Sequence, residues 1–285
     1  MWPGRPKTPL GLAQSPIFAR EIPLEFPLAL IAIDALDGKP FKDEVLSLVK
    51  SDAAEAWETQ QLLTWAVENF HPRLTLSSSF GAPEGMALID MLHKVDPTTR
   101  VFVLDTGRLH PATYDLIDRV RDRYDKQVEV VFPNAQEIQE MVQEKGMNLF
   151  YESNANRKHC CKLRKVLPMR RHLSHFDAYV TGLRRDQNLN RADTRKLEID
   201  SVNGDLVKIN PLVDWTHERV LDYVHEHNVP TNRLHQHGYP SVGCEPCTRA
   251  VGPDADPRAG RWWWENDDVK ECGLHVQEQT DGSGI

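Results

Sequence analysis

Residues 74–93 read LTLSSSFGAPEGMALIDMLH: a short apolar run, a Ser/Gly loop and an apolar helix in succession. Leu74-Thr75-Leu76 suits a strand, Ser77 to Ala82 form the loop, and Pro83 is pre-organised for a first helical position, the helix continuing from Met86 to His93. A loop of this kind aims backbone N–H groups and hydroxyls at one spot, which makes a cradle for phosphate. Ser77, Ser78, Ser79 and Gly81 are its candidate contacts. The loop has neither the lysine of a Walker A sequence nor a G-x-G-x-x-G pattern, so a plain turn stays open as a reading.

Working outward, Val101-Phe102-Val103-Leu104 is a continuous apolar run that suits a buried parallel strand. It leads into Asp105-Thr106-Gly107-Arg108-Leu109-His110-Pro111 and a helix over Ala112 to Tyr124. A strand over Gln127–Phe132 and a helix over Ala135–Lys145 follow. This alternation predicts an α/β fold with a doubly wound parallel sheet. Ligands of such sheets bind at the C-terminal ends of the strands, where the Ser/Gly loop and the loop holding Asp105, Thr106 and Arg108 both fall. Upstream, Ser51–Phe70 has helical spacing, and residues 1–50 form a Pro-rich extension, disordered in part or packed on the body. Downstream come a helix carrying Cys160 and Cys161, a strand at Tyr179–Gly182, a hairpin over Leu197–Ile209 turning at Asn203-Gly204, and an amphipathic helix over Thr216–Asn228. The expected organisation is thus an extension (1–50), an α/β nucleotide-binding domain (51–230) and a loop-rich C-terminal segment (231–285).

The 285 residues are 40% hydrophobic and 27% charged, as expected of a soluble globular protein. No apolar run is long enough to span a membrane, and the N-terminus does not read as a signal peptide, so a reducing, cytoplasmic location is expected. A formal net charge of −8 argues against nucleic acid as a partner. The cations are nonetheless clustered. Residues 157–171 (RKHCCKLRKVLPMRR) hold seven Lys or Arg and no acid, and Arg184, Arg185, Arg191, Arg195 and Lys196 follow. A solvated helix face is the bland reading of such a run; flanking two cysteines, it reads better as a site for an anion.

The five cysteines divide into four and one. Cys244 and Cys247 have the C-x-x-C spacing of two thiolates on one metal centre. Cys160 and Cys161 are adjacent, and neighbours on a helix point about 100° apart. That is awkward for a single zinc ion and easier on a cubane, so the spacing favours a [4Fe–4S] cluster over structural zinc. Cys272 has no partner at ligand spacing. A buried bystander is the alternative, but Lys270, Glu271, Gly273 and His275 make a polar setting that suits a nucleophilic thiol. Arg258 and Arg261 are either surface charges or forks for phosphate or sulfate oxygens.

Taken together, CC…C-x-x-C, SVGCEPCTR, GRWWWE and KECGLH closely resemble the assimilatory adenylyl-sulfate (APS) reductases of bacteria and the related plant domain. LDTGRLHPATYDLID, CCKLRKVLPMRR and TGLRRDQN are similar to the same family's motifs, so the resemblance runs from about Glu58 to His275. It implies an adenine-nucleotide α-hydrolase-like (Rossmann-like) fold with Ser77–Gly81 as nucleotide loop. It also implies a [4Fe–4S] cluster on Cys160, Cys161, Cys244 and Cys247, Cys272 as nucleophile, and thioredoxin or a similar dithiol protein as reductant. The substrate set then takes in Lys165, Arg258 and Arg261, which would screen sulfate and thiolate charge, and Arg184 and His275 from the same motifs. Rival readings are a 3′-phosphoadenylyl-sulfate (PAPS) reductase, an ATP-dependent adenylating enzyme, and a non-enzymatic iron–sulfur or zinc module. Association with further copies of the chain is left open by the sequence.

Overall fold

Short apolar runs become the strands β1 (Leu74–Ser77), β2 (Arg100–Leu104), β3 (Val128–Val131), β4 (Ala178–Val180), β5 (Leu197–Asp200) and β6 (Leu206–Ile209). The helices between and around them are α1 (Phe41–Lys50), α2 (Thr59–Phe70), α3 (Pro83–Val95), α4 (Pro111–Tyr124), α5 (Ala135–Lys145), α6 (Asn154–Cys161), α7 (Leu167–Leu173) and α8 (His217–Glu226). This computed structural model describes residues 41–188, 191–265 and 273–274. The strands lie in the order β3-β2-β1-β4-β6-β5 and are parallel except for β5, which pairs antiparallel with β6. The sheet is therefore mixed Rossmann-like α/β, doubly wound as expected, with the Leu197–Ile209 hairpin as its edge. Gly204 supplies the positive φ of 96° that the turn needs.

Why the sheet is buried follows from its connections. Parallel strands need crossovers, and those crossovers place helices on the sheet faces. Leu74, Leu76, Val101, Ala178, Val180 and Ile209 consequently have no exposed surface. Helix starts agree with local chemistry: Pro83 and Pro111 open α3 and α4, and Asn134 caps α5 by accepting from the Gln136 and Glu137 N–H groups. The order reverses between β1 and β4, so the loops leaving their C-terminal ends diverge and open a crevice there.

Two segments differ from the sequence reading. The helix expected over Ser51–Phe70 is broken at Trp57, whose backbone is extended. The carbonyls of Glu55 and Trp57 accept from Lys196 Nζ at 3.0 and 2.6 Å, so a distant cation takes acceptors that a continuous helix would have used. The ordered body also begins before Ser51, because Val45 of α1 is buried in the main core. Among the described residues no helix is long and apolar enough to cross a membrane.

The helix behind the Ser/Gly loop is fixed by a buried carboxylate. Asp90 of α3 accepts from Tyr223 of α8 (2.7 Å) and Tyr124 of α4 (3.1 Å), and pairs with Lys94 at 2.7 Å. Burial alone would push the Asp90 carboxyl up, but the Lys94, Tyr223 and Tyr124 hydrogen bonds and the Lys94 charge outweigh it, and it titrates below its ordinary 3.8. A depressed folded pKa contributes stability that is present above pH 3.8 and is lost as pH falls through the folded value. Asp90→Asn is expected to lower urea stability at pH 7 by roughly 1–3 kcal/mol. The gap from wild type should shrink below about pH 3.8; a gap that does not change with pH would assign the loss to packing.

Candidate functional site

The Ser/Gly loop turns back on itself. Ser78 Oγ accepts from the Phe80 N–H at 3.4 Å and Ser79 Oγ from the Gly81 N–H at 3.3 Å, while Phe80 takes a φ of 53°. Ser78 is buried, Ser77 half-buried and Ser79 exposed. Gly81 cannot be larger: a Cβ there would lie 2.2 Å from the Val242 carbonyl oxygen. The Val242 N–H donates to Gly81 O at 3.0 Å, and Asn232 Nδ2 donates to Phe80 O at 3.1 Å. The C-terminal segment is thus laid directly on the loop. Across the β1/β4 crevice, Arg184 is buried against Glu84 (2.8 Å), the Trp215 carbonyl and Asp186. The structure places Arg184 beside the loop, in an ion pair with the first turn of α3.

The loop after β2 serves a second place. Asp105 Oδ1 accepts from the Gly107 N–H (2.8 Å) and the Tyr114 hydroxyl (2.9 Å). Thr106 Oγ1 lies 3.3 Å from Cys244 Sγ, and Thr106 O accepts from Arg164 at 2.6 Å. Arg108 donates to Met147 O and Asn148 Oδ1 and covers the Phe150 ring. Thr106 and Arg108 therefore belong to the thiol region, and Arg108 is tied to the turn that precedes α6.

All four expected ligand cysteines are buried and line one cavity, together with Arg108, Phe150, Arg157, Arg164, Lys165 and Pro246. Ser153 caps α6, which ends at the adjacent pair; a π turn over Lys162–Val166 follows, the kind of widened helix that collects at functional sites. On the other wall, Cys244 forms an antiparallel bridge with Leu109, and Cys244 to Cys247 close a tight turn, the Cys247 N–H donating to Cys244 O at 3.0 Å. Among the described residues no three of His, Cys, Asp or Glu are arranged around a single metal ion.

The thiols feel one another. Burial pushes Cys247 up to about 12, with Cys244 adding to the rise. Cys160 is also raised by burial, Arg164 opposing and Cys244 assisting. Burial would raise Cys244 too, but Lys165, the Thr106 hydrogen bond, Arg261 and Arg164 together pull it below its ordinary value. Arg261 is buried, donates to Ser241 at 3.3 Å and stacks 4.7 Å from the Trp262 ring. Lys165, Arg261, Thr106 and Arg108 are thus gathered at the cavity. Arg258 stands half-exposed beyond them, its N–H on Asp256 and its carbonyl accepting from Arg261. Cys272 and His275 lie outside the described residues.

Sequence reasoning passed over several residues that build the site. Arg157 and Glu265 form a two-pronged ion pair at 2.7 and 2.8 Å, both side chains 1% exposed, and Arg157 also lies 4.7 Å from the Trp262 ring. Arg157 stands three places before Cys160 on one helix face, a signal that was present; Glu265, 108 residues away, carried none. Of the tryptophans, Trp262 is buried, Trp264 packs on Tyr151 at 4.5 Å, and Trp263 is exposed beneath Arg249. Removing one partner of a buried pair leaves an uncompensated charge. Glu265→Gln is expected to cost about 3–5 kcal/mol in denaturant unfolding, and pairing it with Arg157→Met should restore part of the loss; a neutral Glu265→Gln would overturn the pair's structural role.

Comparison with known proteins adds three findings. A model of the phosphoadenosine phosphosulfate reductase domain matches residues 73–250. The chain is 47% identical over 210 residues to an adenosine 5′-phosphosulfate reductase of Burkholderia cepacia, covering 74% of this chain and 83% of that one, and 44% identical over 205 residues to one of Allochromatium vinosum, covering 72% and 79%. Among solved structures it is similar to a phosphoadenylyl-sulfate (PAPS) reductase from Candida auris in a phosphate complex, with a TM-score of 0.61 and 28% identity over 76% of this chain and 100% of that one.

Proposed function

This chain belongs to the phosphoadenosine phosphosulfate reductase domain family, and from that membership we propose that it reduces APS to sulfite and AMP in sulfate assimilation. The observation that carries the reading is the 47% and 44% identity to relatives named adenosine 5′-phosphosulfate reductase. PAPS is the second reading, favoured by the Candida auris relative. Against it stands the second basic run. Arg184, Arg185, Arg195 and Lys196 are paired with Glu84, Glu55, Asp52 and Asp214, so four of the five cations a 3′-phosphate would seek there already face carboxylates, while Arg191 donates to Gln187.

The nucleotide phosphate rests on the Ser77–Gly81 loop, which leaves the C-terminal end of β1 beside the crevice between β1 and β4. The Cys272 thiolate attacks the sulfuryl sulfur. The bond from sulfur to the bridging oxygen breaks, its electron pair leaves with AMP, and the sulfonate stays on Cys272 as S-sulfocysteine. A thiolate of thioredoxin, or a similar dithiol protein, then attacks Cys272 Sγ. Sulfite leaves with the sulfur–sulfur electron pair, and the second thiol of the reductant resolves the mixed disulfide. Lys165, Arg258 and Arg261 screen the approach of thiolate to sulfate, both negative. Cys160, Cys161, Cys244 and Cys247 would hold a [4Fe–4S] cluster, which supplies fixed charge beside these cations. Its support is a donor set of four buried thiols that line one cavity.

Incubating the protein with APS and no reductant is expected to leave a sulfonate adduct on the Cys272 peptide with one equivalent of AMP, and thioredoxin should discharge it as sulfite. Cys272→Ser should give neither, and PAPS should form the adduct far more slowly than APS. An adduct on another residue, or faster reaction with PAPS, defeats the reading. For the cofactor, anaerobically purified protein should contain iron and acid-labile sulfide, and Cys244→Ser should lose both along with the brown colour; stoichiometric zinc without sulfide rules the cluster out.

A further inference from the structure

Directly ahead of Cys244 the chain makes room for one charged side chain. A Cβ on Gly243 would lie 2.3, 2.6 and 3.1 Å from Nη2, Cζ and Nε of Arg261, so its three nearest neighbours all belong to one guanidinium. Gly243 does not take a positive φ, and conformational freedom is therefore not what calls for glycine here. Other crowded glycines serve a different end. At Gly81 and Gly260 the nearest atom is a backbone carbonyl oxygen, 2.2 Å away in each, so those two admit a neighbouring chain. Gly243 admits the end of a cation.

The backbone at Gly243 is tied down. Its N–H donates to Thr248 Oγ1 at 3.1 Å, the Thr248 hydroxyl donates to Cys244 O at 2.9 Å, and Thr248 forms an antiparallel bridge with Arg261 itself. Arg261 Nη1 donates to Ser241 Oγ at 3.3 Å, and the Trp262 ring lies 4.7 Å from the guanidinium. Ordinary contact distances begin about 1 Å beyond the 2.3 Å found here, so a methyl at residue 243 would push the flexible guanidinium aside by about that much. Cys244 lines the thiol cavity, so the displaced charge would be one that stands at its wall.

We propose that Gly243 is a positioning residue for sulfuryl transfer: its bare α-carbon sets where the Arg261 guanidinium meets the sulfate end of the substrate. The proposal rests on the reading of Arg261 as a screen between sulfate and thiolate. A guanidinium forms two parallel bonds to an oxyanion only when its fork is correctly placed. A misplacement of 1 Å is enough to cost about a hundredfold in rate. Sulfate is the part of APS that AMP lacks, so an effect exerted through Arg261 falls on APS and spares AMP.

The test measures kcat/KM for APS and the Kd of AMP in the full-length holoprotein. Arg261→Ala should lower kcat/KM about tenfold to a hundredfold, the size of a charge-assisted hydrogen bond. Gly243→Ala should lower it about tenfold, with AMP affinity and iron content as in wild type. The double variant should lie within about twofold of Arg261→Ala alone, because the glycine acts only through the arginine. Gly252→Ala, where an added Cβ meets nothing within 4 Å, should match wild type. Wild-type kcat/KM in Gly243→Ala, additive losses in the double variant, AMP affinity falling in step with the rate, or loss of iron would each overturn the proposal. If Gly243→Ala is insoluble, the double variant should be soluble, since the clashing group is gone; a double variant that also fails overturns it. Wild-type protein that makes no sulfite from APS, or Arg261→Ala that turns over normally, instead overturns the reading on which the proposal rests.

Discussion

The Arg157–Glu265 pair is the interaction on which the site's construction turns. Taking either charge out of water is costly, and only good geometry offsets that cost. Here both carboxylate oxygens are engaged, and although burial works against the Arg157 charge, the Glu265 carboxylate holds the guanidinium charged. What the pair joins explains why such a device is present. Helix α6 has eight residues, too few to be stable alone, and the described residues 248–265 leading to Glu265 form turns and an isolated bridge with no helix or strand. Each is held by the other. The Trp262 N–H then binds Cys247 O, Cys244 bridges to Leu109, and Arg164 returns from the π turn to Thr106. The result is a circuit of contacts that ties the two walls around the cysteines to each other.

Within that circuit the thiols pose an electrostatic problem. Cys244 is drawn toward thiolate by Lys165, Thr106, Arg261 and Arg164, and its charge in turn raises Cys160 and Cys247. Thiolates so placed would repel one another, and the nearby Arg and Lys side chains oppose that repulsion. Ligand cysteines must be deprotonated to bind metal, so cationic walls and a cation-rich group would act in the same direction. A chain with a formal net charge of −8 thus concentrates positive charge where anionic sulfur collects.

Local chemistry made most of the fold readable. The apolar runs at Leu74 and Val101, the prolines opening α3 and α4, and the Asn203-Gly204 turn each state their structure within a few residues. The break at Trp57 was not readable, because its cause is Lys196, far along the chain. The same distinction separates the two basic runs. In sequence they look alike; in the fold Arg164 and Lys165 line the thiol cavity, as does Arg157 with its Glu265 partner, while Arg184, Arg185, Arg195 and Lys196 face carboxylates away from it. Composition reports charge but not its partners, and here the partners come from α3, from the chain ahead of α2 and from the chain ahead of α8.

The C-terminal segment is where these strands of reasoning meet. Asn232 and Val242 rest on the Ser/Gly loop, Cys244 on the β2 loop, and Glu265 on α6. Every one of those contacts spans a long stretch of sequence; the bond from Asn232 to Phe80 closes 152 residues and the contact from Thr106 to Cys244 closes 138. Such contacts pay loop-closure entropy before they return any stability, so they form after the local strand and helix pairs they join. The sheet and its β1/β4 crevice can therefore exist before the segment docks, whereas the thiol cavity cannot, since one of its walls is the docked segment. Gly81 is where the dependence becomes physical: only a residue without a side chain lets Val242 approach closely enough for the loop and the cavity wall to be built from one contact.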